Sequence, residues 1–183
     1  LGDRTLRTYP MKNFNQQGFT LIELMITIAI LAILLGLGTP SLQTMIHNNQ
    51  VAAQNNELMG LINFAKSESV RRNTDVTMLL TNGSTGWSAI VEDPTNTADI
   101  EGCVVGQLRC ANNTRVGMTA GETTLVFNNR GYIRDADDAW AAMTIYLQHE
   151  NCSGTNQRRR IDVTATGQVS SCALACDSTN ACP

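Results

Sequence analysis

One long apolar run dominates the first third of the chain. From Phe19 to Thr39 there are 21 residues, and Glu23 is the only charged one. At about 1.5 Å per residue, this length of helix crosses a hydrocarbon core of roughly 30 Å. The run is longer than the apolar core of a secretory signal peptide and has no A-x-A-like end. The pattern therefore predicts a transmembrane helix over residues 19–39.

The basic residues near this run predict its orientation. Arg4, Arg7 and Lys12 precede the run, and the next Lys or Arg is Lys66. Basic residues collect on the cytoplasmic side of a membrane. We therefore expect the N-terminus in the cytoplasm and the residues after the run on the other side of the membrane.

A helical period continues beyond Pro40 and predicts an amphipathic helix over residues 40–73. Its apolar residues recur three or four positions apart in two blocks separated by a polar stretch: Leu42, Met45 and Ile46, then Leu58, Leu61, Ile62 and Ala65. This spacing places them on one helix face. We expect the face from Leu58 onward to pack on the protein's own sheet and the part nearer Pro40 to meet other subunits. The glycines and proline at 36, 38 and 40 favour a kink.

From residue 74 the period changes from helix to strand, and the fold class predicted is α+β. Val76, Met78 and Leu80 alternate before Asn82-Gly83, and residues 87–91 form the return strand of a hairpin. A second hairpin is predicted over residues 123–127 and 132–133, and further strands over residues 143–147, 159–163 and 167–171. Residues 92–122 are predicted to be a long polar loop. We expect the long N-terminal helix to pack on an antiparallel sheet, with residues 74–183 forming a periplasmic β-rich domain.

Six cysteines follow the predicted helix: Cys103, Cys110, Cys152, Cys172, Cys176 and Cys182. An even number in an exported domain indicates disulfides in an oxidising compartment. Fifteen pairings are possible, and we favour Cys103–Cys110, Cys176–Cys182 and Cys152–Cys172. A zinc site is the alternative, but the chain lacks a C-x-x-C pair and has only two histidines.

The start of the apolar run resembles a known signature. Gly18-Phe19-Thr20-Leu21-Ile22-Glu23 is similar to the prepilin motif of type IV pilins and type II secretion pseudopilins. The resemblance implies that a prepilin peptidase cleaves after Gly18 and N-methylates Phe19, that Glu23 guides assembly, and that Pro40 kinks the helix. By the same resemblance we expect residues 1–18 to be a cytoplasmic leader, and the protein to be a single-pass inner-membrane protein whose C-terminal domain lies in the periplasm. Residues 1–10 precede the first Met, and we expect them to be an upstream extension or a mis-assigned start; counted from Met11 the leader is short.

The remainder of the chain resembles one branch of this superfamily, the GspH/FimT-type minor pseudopilins, which include FimU-like minor pilins. The residues that carry this resemblance are Ala65–Asn73 at the end of the long helix, Trp87, and the C-terminal segment Ile161–Gly167. The resemblance implies other minor and major pilins or pseudopilins as partners.

Glu23 has a chemical reason to matter in this position. A carboxylate inside a membrane usually has a partner and a function. Cleavage after Gly18 would free an α-amino group on Phe19, which could be neutralised by Glu23 of the same or a neighbouring subunit. The alternative is a carboxylate that is merely tolerated at the interface.

We predict no enzyme and no cofactor. His47 and His149 lack a recognisable nucleophile motif, and we expect isolated surface histidines. The acidic residues Asp135, Asp137 and Asp138 could suggest calcium, but they lack the twelve-residue loop pattern and its bidentate Glu. A solvated acidic loop is favoured, and no metal site is predicted.

Arg158, Arg159 and Arg160 form the one basic cluster, and they are candidate DNA-contacting residues. Strand alternation would put Arg158 and Arg160 on one face and Arg159 on the other. DNA-receptor relatives carry a Gly-Arg-x-Arg motif, whereas this chain has Gln and Ser in the corresponding stretch Gly167–Ser170. We therefore favour a solvated edge strand, whose charges discourage aggregation, over DNA contact.

Composition sets the remaining bounds. Removal of the 18-residue leader leaves 165 of 183 residues and changes the formal net charge from −3 to −5. A mildly acidic domain gives no general argument for nucleic acid or anionic lipid. We predict a minor pilin or pseudopilin that helps prime assembly of a type IV pilus. The alternatives are a type II secretion pseudopilin, a DNA-binding pilus subunit, and a membrane-anchored domain that is never cleaved at Gly18.

Overall fold

The computed structural model describes residues 18–93, 95, 102–134, 139–152 and 157–182. The predicted leader up to residue 17 and the acidic segment 135–138 lie outside the described residues. The described chain forms one long helix, α1 (Leu21–Arg72), followed by strands, and it divides into two units between Pro40 and Ser41.

The first unit contains the N-terminal part of α1. Described residues from Gly18 to Gly36 are exposed throughout, including large apolar side chains such as Phe19 and Leu35. Among the described helical segments, none qualifies alone as a membrane span, whereas Leu21–Gly36 and Ser41–Arg72 together qualify by length and composition. The transmembrane helix over residues 19–39 and the kink at Pro40 stay predictions.

The second unit begins with the remainder of α1, whose face changes from exposed to buried along its length. Leu42, Met45 and Ile46 are exposed, whereas Leu58 and Ile62 are fully buried in the core. The prediction that the face from Leu58 onward packs on the domain is confirmed, and burial starts still earlier. The additional buried positions are Val51 and Asn55.

The helix ends in a defined cap. Asn73 has φ +54°, and its N–H and that of Thr74 donate to the carbonyls of Val70 and Ser69. These two bonds form a Schellman motif, in which a left-handed residue satisfies the last helical carbonyls. The chain can therefore turn directly into the first strand.

Two antiparallel sheets complete the second unit. One has five strands in the order β3-β2-β1-β5-β6 and the other has four in the order β4-β7-β8-β9. The strands are β1 (Val76–Thr81), β2 (Trp87–Glu92), β3 (Gln107–Asn113), β4 (Val116–Ala120), β5 (Thr124–Phe127), β6 (Ile133–Arg134), β7 (Met143–His149), β8 (Arg158–Val163) and β9 (Val169–Leu174). Both sheets and α1 contribute to one core, and the predicted β1–β2 and β5–β6 hairpins are confirmed. The protein is α+β, as predicted.

The prediction of a long loop over residues 92–122 is wrong, because β3 and β4 lie within it. β3 is an edge strand in which only Leu108 is buried, so its sequence shows little alternation. β4 contains Gly117, which indicates a turn when the sequence is considered alone. In the structure this glycine permits close approach of the β1–β2 turn, since a Cβ there would lie 2.2 Å from the Ser84 carbonyl oxygen.

Two of the three favoured disulfides are also wrong. Cys103–Cys110 is confirmed, but the others are Cys152–Cys176 and Cys172–Cys182. β7 and β9 are both antiparallel to β8, so they run in the same direction and their C-terminal ends lie at the same end of the sheet. The cysteines that follow those ends, Cys152 and Cys176, therefore meet there. Because all six cysteines are in disulfides, none is available as a zinc ligand.

Candidate assembly surface and arginine cluster

The N-terminal part of α1 presents apolar side chains in every direction. Between Phe19 and Leu35 the large hydrophobic residues are 53–82% exposed. A soluble monomer rarely exposes a contiguous apolar surface of this extent, so it indicates a membrane or protein partner. We call Phe19–Leu35 the assembly surface.

Glu23 lies in the first turn of α1, within the assembly surface. Thr20 precedes the helix, and its Oγ1 accepts a hydrogen bond from the Glu23 N–H at 3.3 Å. This is the arrangement of a helix N-cap, and a carboxylate in the first turn complements the positive end of the helix dipole. The described ion pairs do not include Glu23. Its side chain is exposed and is accessible to a charged group of another chain.

Two arginines of the predicted basic cluster share one face of β8. The guanidinium carbons of Arg158 and Arg160 lie 4.3 and 5.8 Å from the centroid of the Tyr146 ring. Arg160 also pairs with Asp162 and donates hydrogen bonds to the carbonyls of Thr179 and Asn180. The alternation predicted for the cluster therefore holds on this face, and Arg160 holds the C-terminal tail against the sheet.

Arg159 lies on the opposite face of β8, toward α1. It lines a cavity of about 410 Å³ together with helix residues that include Asn55 and Met59. The prediction of a solvated edge strand is wrong, because β8 lies between β7 and β9 and all three arginines are half-buried. The central position follows from the pairing of the C-terminal strand β9, which covers the edge that β8 would otherwise present.

The two histidines are not isolated surface residues, which corrects the sequence prediction. The rings of His47 and His149 stack with centroids 4.0 Å apart and an angle of 12° between the ring planes. His149 is only 5% exposed, and burial is the main cause that lowers its pKa, with His47 and Arg115 adding to the effect. A signal was present in the sequence, since His47 lies four residues before Val51 on the helix face that becomes buried.

The described part of the chain combines an exposed apolar helix with a disulfide-bonded domain. Among the described residues, no group of three or more His, Cys, Asp or Glu could hold a metal ion. The apolar helix is exposed and carries a single carboxylate, whereas the second unit buries a hydrophobic core of its own. A helix of this kind joined to a disulfide-bonded α+β domain defines the class of pilin-like proteins.

Comparison with known families identifies the chain more closely. Residues 54–167 match the family model described as Type II transport protein GspH, and residues 13–39 match the model described as prokaryotic N-terminal methylation motif. The first match covers more than half of the chain, so the protein belongs to the GspH family. The resemblance drawn from Gly18–Glu23 and from the helix end is thereby confirmed.

Two solved structures are similar to the chain. Both are crystal structures of the type IV minor pilin FimU from Pseudomonas aeruginosa (strain PAO1), at 15% and 16% sequence identity and TM-scores of 0.48 and 0.44. They match 67% and 63% of this chain and 87% and 86% of their own chains. No curated protein matches the sequence.

Proposed function

We propose that this protein is a minor pilin that helps prime assembly of a type IV pilus. The observation that carries the proposal is the assembly surface, an apolar helix of which every described residue is exposed and whose only charge is Glu23. Such a helix is stable in a lipid bilayer or among other helices of the same kind, but not in water. The helix would reside in the inner membrane before assembly and then enter the core of a filament.

The chemistry of entry would depend on Glu23. Prepilin peptidase would cleave after Gly18 and leave a methylated amine on Phe19. Glu23 of this subunit would then attract the amine of its neighbour, because the charge of either group is costly in apolar surroundings unless it is paired. Pro40 would allow the helix to bend as it packs in the filament. The disulfide-bonded domain would remain in the periplasm or at the filament tip and contact other minor subunits.

A second candidate function is that of a pseudopilin in a type II secretion system. The observation that favours it is the description of the matching family model, Type II transport protein GspH. Both machines would use the same N-terminal chemistry, so the two functions differ in the location of the mature protein.

Mass spectrometry of sheared surface filaments and of the remaining cell membranes tests both candidates. For a pilus subunit, the sheared fraction contains an N-terminal peptide that begins at Phe19 and carries one methyl group. The same peptide found only in membranes would favour the secretion pseudopilin. A peptide that still runs through Gly18 would contradict both and leave an unprocessed membrane-anchored domain.

A further inference from the structure

The chain has two histidines, and the structure brings them together across 102 positions of sequence. His47 belongs to α1 and His149 is the last residue of β7. Their rings are nearly parallel at 4.0 Å, and His149 is almost completely buried. Stacked imidazoles attract when at least one is neutral and repel when both are charged.

The stack occupies a particular place on the helix. The residues from Ser41 to Ile46 are exposed, and His47 is the first that is half-buried. The following positions on the same face, Val51, Asn55 and Leu58, are buried against the domain. The histidines therefore lie where α1 departs from the β-rich domain.

Next to the stack, the helix contacts the domain through the fully buried Val51 and through a hydrogen bond from Ser171 Oγ to Asn55 Oδ1 at 2.7 Å. The side-chain oxygens of Asn48, Gln50 and Gln54 are buried and accept no hydrogen bond from the described residues. By contrast, the part of the helix from Leu58 to Ala65 contacts the domain through fully buried aliphatic side chains. The first two turns of the docked helix are thus held less firmly than the turns that follow.

The hydrogen bonding of His149 depends on its neutral form. Its Nδ1 accepts the N–H of Asn151 at 3.0 Å, which places the ring proton on Nε2. Protonation of Nδ1 would remove that acceptor and put a second charge beside His47. The surroundings offer little compensation: Arg115 opposes the charge and Glu150 alone favours it. Arg158 and Asp177 also line the cavity that His149 borders, with one charge of each sign.

We propose that the His47–His149 stack is a pH-sensitive latch that sets how much of α1 is docked on the β-rich domain. At neutral pH the stack holds residues 47–55 on the domain. Below about pH 6, where an ordinary histidine becomes charged, the rings repel and these residues detach while residues 58–69 remain docked. The free part of the helix then lengthens by about two turns. The latch belongs to the second unit and does not depend on the proposed role in a filament.

Hydrogen–deuterium exchange of the full chain in non-ionic detergent tests the latch. Exchange is measured at pH 7.5 and pH 5.5 and corrected for the intrinsic effect of pH on amide exchange. We expect protection of residues 47–55 to fall relative to residues 58–69, by up to about tenfold for each histidine, since pH 5.5 lies one unit below the ordinary histidine pKa of about 6.5 and each unit corresponds to a factor of ten. An equal loss of protection in both segments would overturn the proposal.

Two variants separate the latch from general destabilisation by acid. His149→Gln keeps a buried polar side chain without a titrating ring, so the selective loss at pH 5.5 should disappear. His47→Gln removes the second charge from a half-buried position and should weaken the selective loss. If His149→Gln does not fold at pH 7.5, His47→Gln alone provides the test. A selective loss that persists unchanged in the folded variants would show that the histidines are not its cause.

Discussion

Thr20 accepts a hydrogen bond from the backbone N–H of Glu23, at 3.3 Å, in the first turn of α1. This contact gives Glu23 a second physical role besides the proposed pairing with an amine. A carboxylate at this helix position stabilises the N-terminus by itself. The two roles can be separated, because the cap uses the backbone of residue 23 and the Thr20 hydroxyl, whereas pairing needs the side-chain charge.

We predict that Glu23→Gln reduces incorporation into filaments about tenfold or more while processing at Gly18 continues. The reason is that a charge-assisted hydrogen bond contributes about 1.5–3 kcal/mol, and 1.4 kcal/mol is tenfold in an equilibrium. The matched control is Thr20→Ala, which removes the cap at a cost of about 1 kcal/mol and keeps the charge. Quantitative immunoblots of sheared and membrane fractions measure both. Equal loss in the two variants would assign the effect of Glu23 to helix capping.

The disulfides predict an order of stability losses. Replacing Cys152 and Cys176 by Ala opens the pair with a sequence separation of 24, and replacing Cys172 and Cys182 opens the pair with a separation of 10. The loop-entropy model gives losses of about 3.5 and about 2.8 kcal/mol respectively. Denaturant unfolding of the two double variants measures them. Non-reducing peptide mapping provides the control, and a Cys176–Cys182 peptide would contradict the pairing.

Arg72 connects the end of α1 to the end of β2. It pairs with both Glu68 and Asp93, which are 8% and 1% exposed. We predict that Arg72→Met lowers the free energy of unfolding by about 2 kcal/mol, because two buried carboxylates lose a donor. Arg71→Met is the matched comparison: it removes two hydrogen bonds to Glu68 but leaves Asp93 paired, and Arg71 itself is largely exposed, so the loss should be smaller than for Arg72→Met. A similar loss in both variants would show that burial is not decisive.

Stability should fall in two separate steps as the pH decreases. The pKa of His149 is lowered, mainly by burial, so the unfolded state binds a proton first and stability declines below about pH 6.5. Hydrogen bonds from Arg71 and Arg72 lower the pKa of Glu68. The pKa of Asp93 is also lowered, because hydrogen bonds from Thr95 and Arg72 outweigh the effect of burial, which raises it. Their stabilisation is complete above about pH 4 and is lost as the pH falls through the lowered folded values.

Melting temperatures recorded from pH 8 to pH 2.5 test these two steps. His149→Gln should remove the upper step and leave the lower one, and Arg72→Met should diminish the lower step alone. A single step that neither variant changes would contradict the assignment.

Gly167 is predicted to be intolerant of a side chain. It has φ +70°, and a Cβ there would lie 2.4 Å from the Gly131 carbonyl oxygen. Gly167→Ala should cost about 1–3 kcal/mol through backbone strain alone. Gly60→Ala is the opposite control, since Gly60 is exposed within α1 with open space around it and should gain up to about 1 kcal/mol. Thermal melting of both variants measures the difference, and a neutral Gly167→Ala would be inconsistent with the tight turn.

We expect the chain not to retard DNA in gel-shift experiments at low salt. Arg160 is committed to Asp162 and to the C-terminal tail, and Arg159 faces α1, so three guanidiniums are not presented together. The experiment uses the full chain in non-ionic detergent. Salt-sensitive retardation that is lost in Arg158→Gln would instead favour a DNA-binding pilus subunit.

The sequence by itself determined the N-terminal half of the protein. The motif Gly18–Glu23 and the apolar run are local patterns, since a helix satisfies its own backbone and its exposed or buried faces follow from residue spacing. The buried face from Leu58 onward and the β1–β2 hairpin could be predicted for the same reason. Each is indicated by the spacing of residues that are close in the chain.

Only the tertiary structure decided which distant residues meet. The disulfide partners of Cys152 and Cys172 depend on strand order, because the order of strands determines which strand ends lie next to each other. The pairing of β9 made β8 a central strand, and the end of β7 placed His149 under His47. These contacts join positions far apart in sequence, where periodicity carries no information and packing selects among many alternatives.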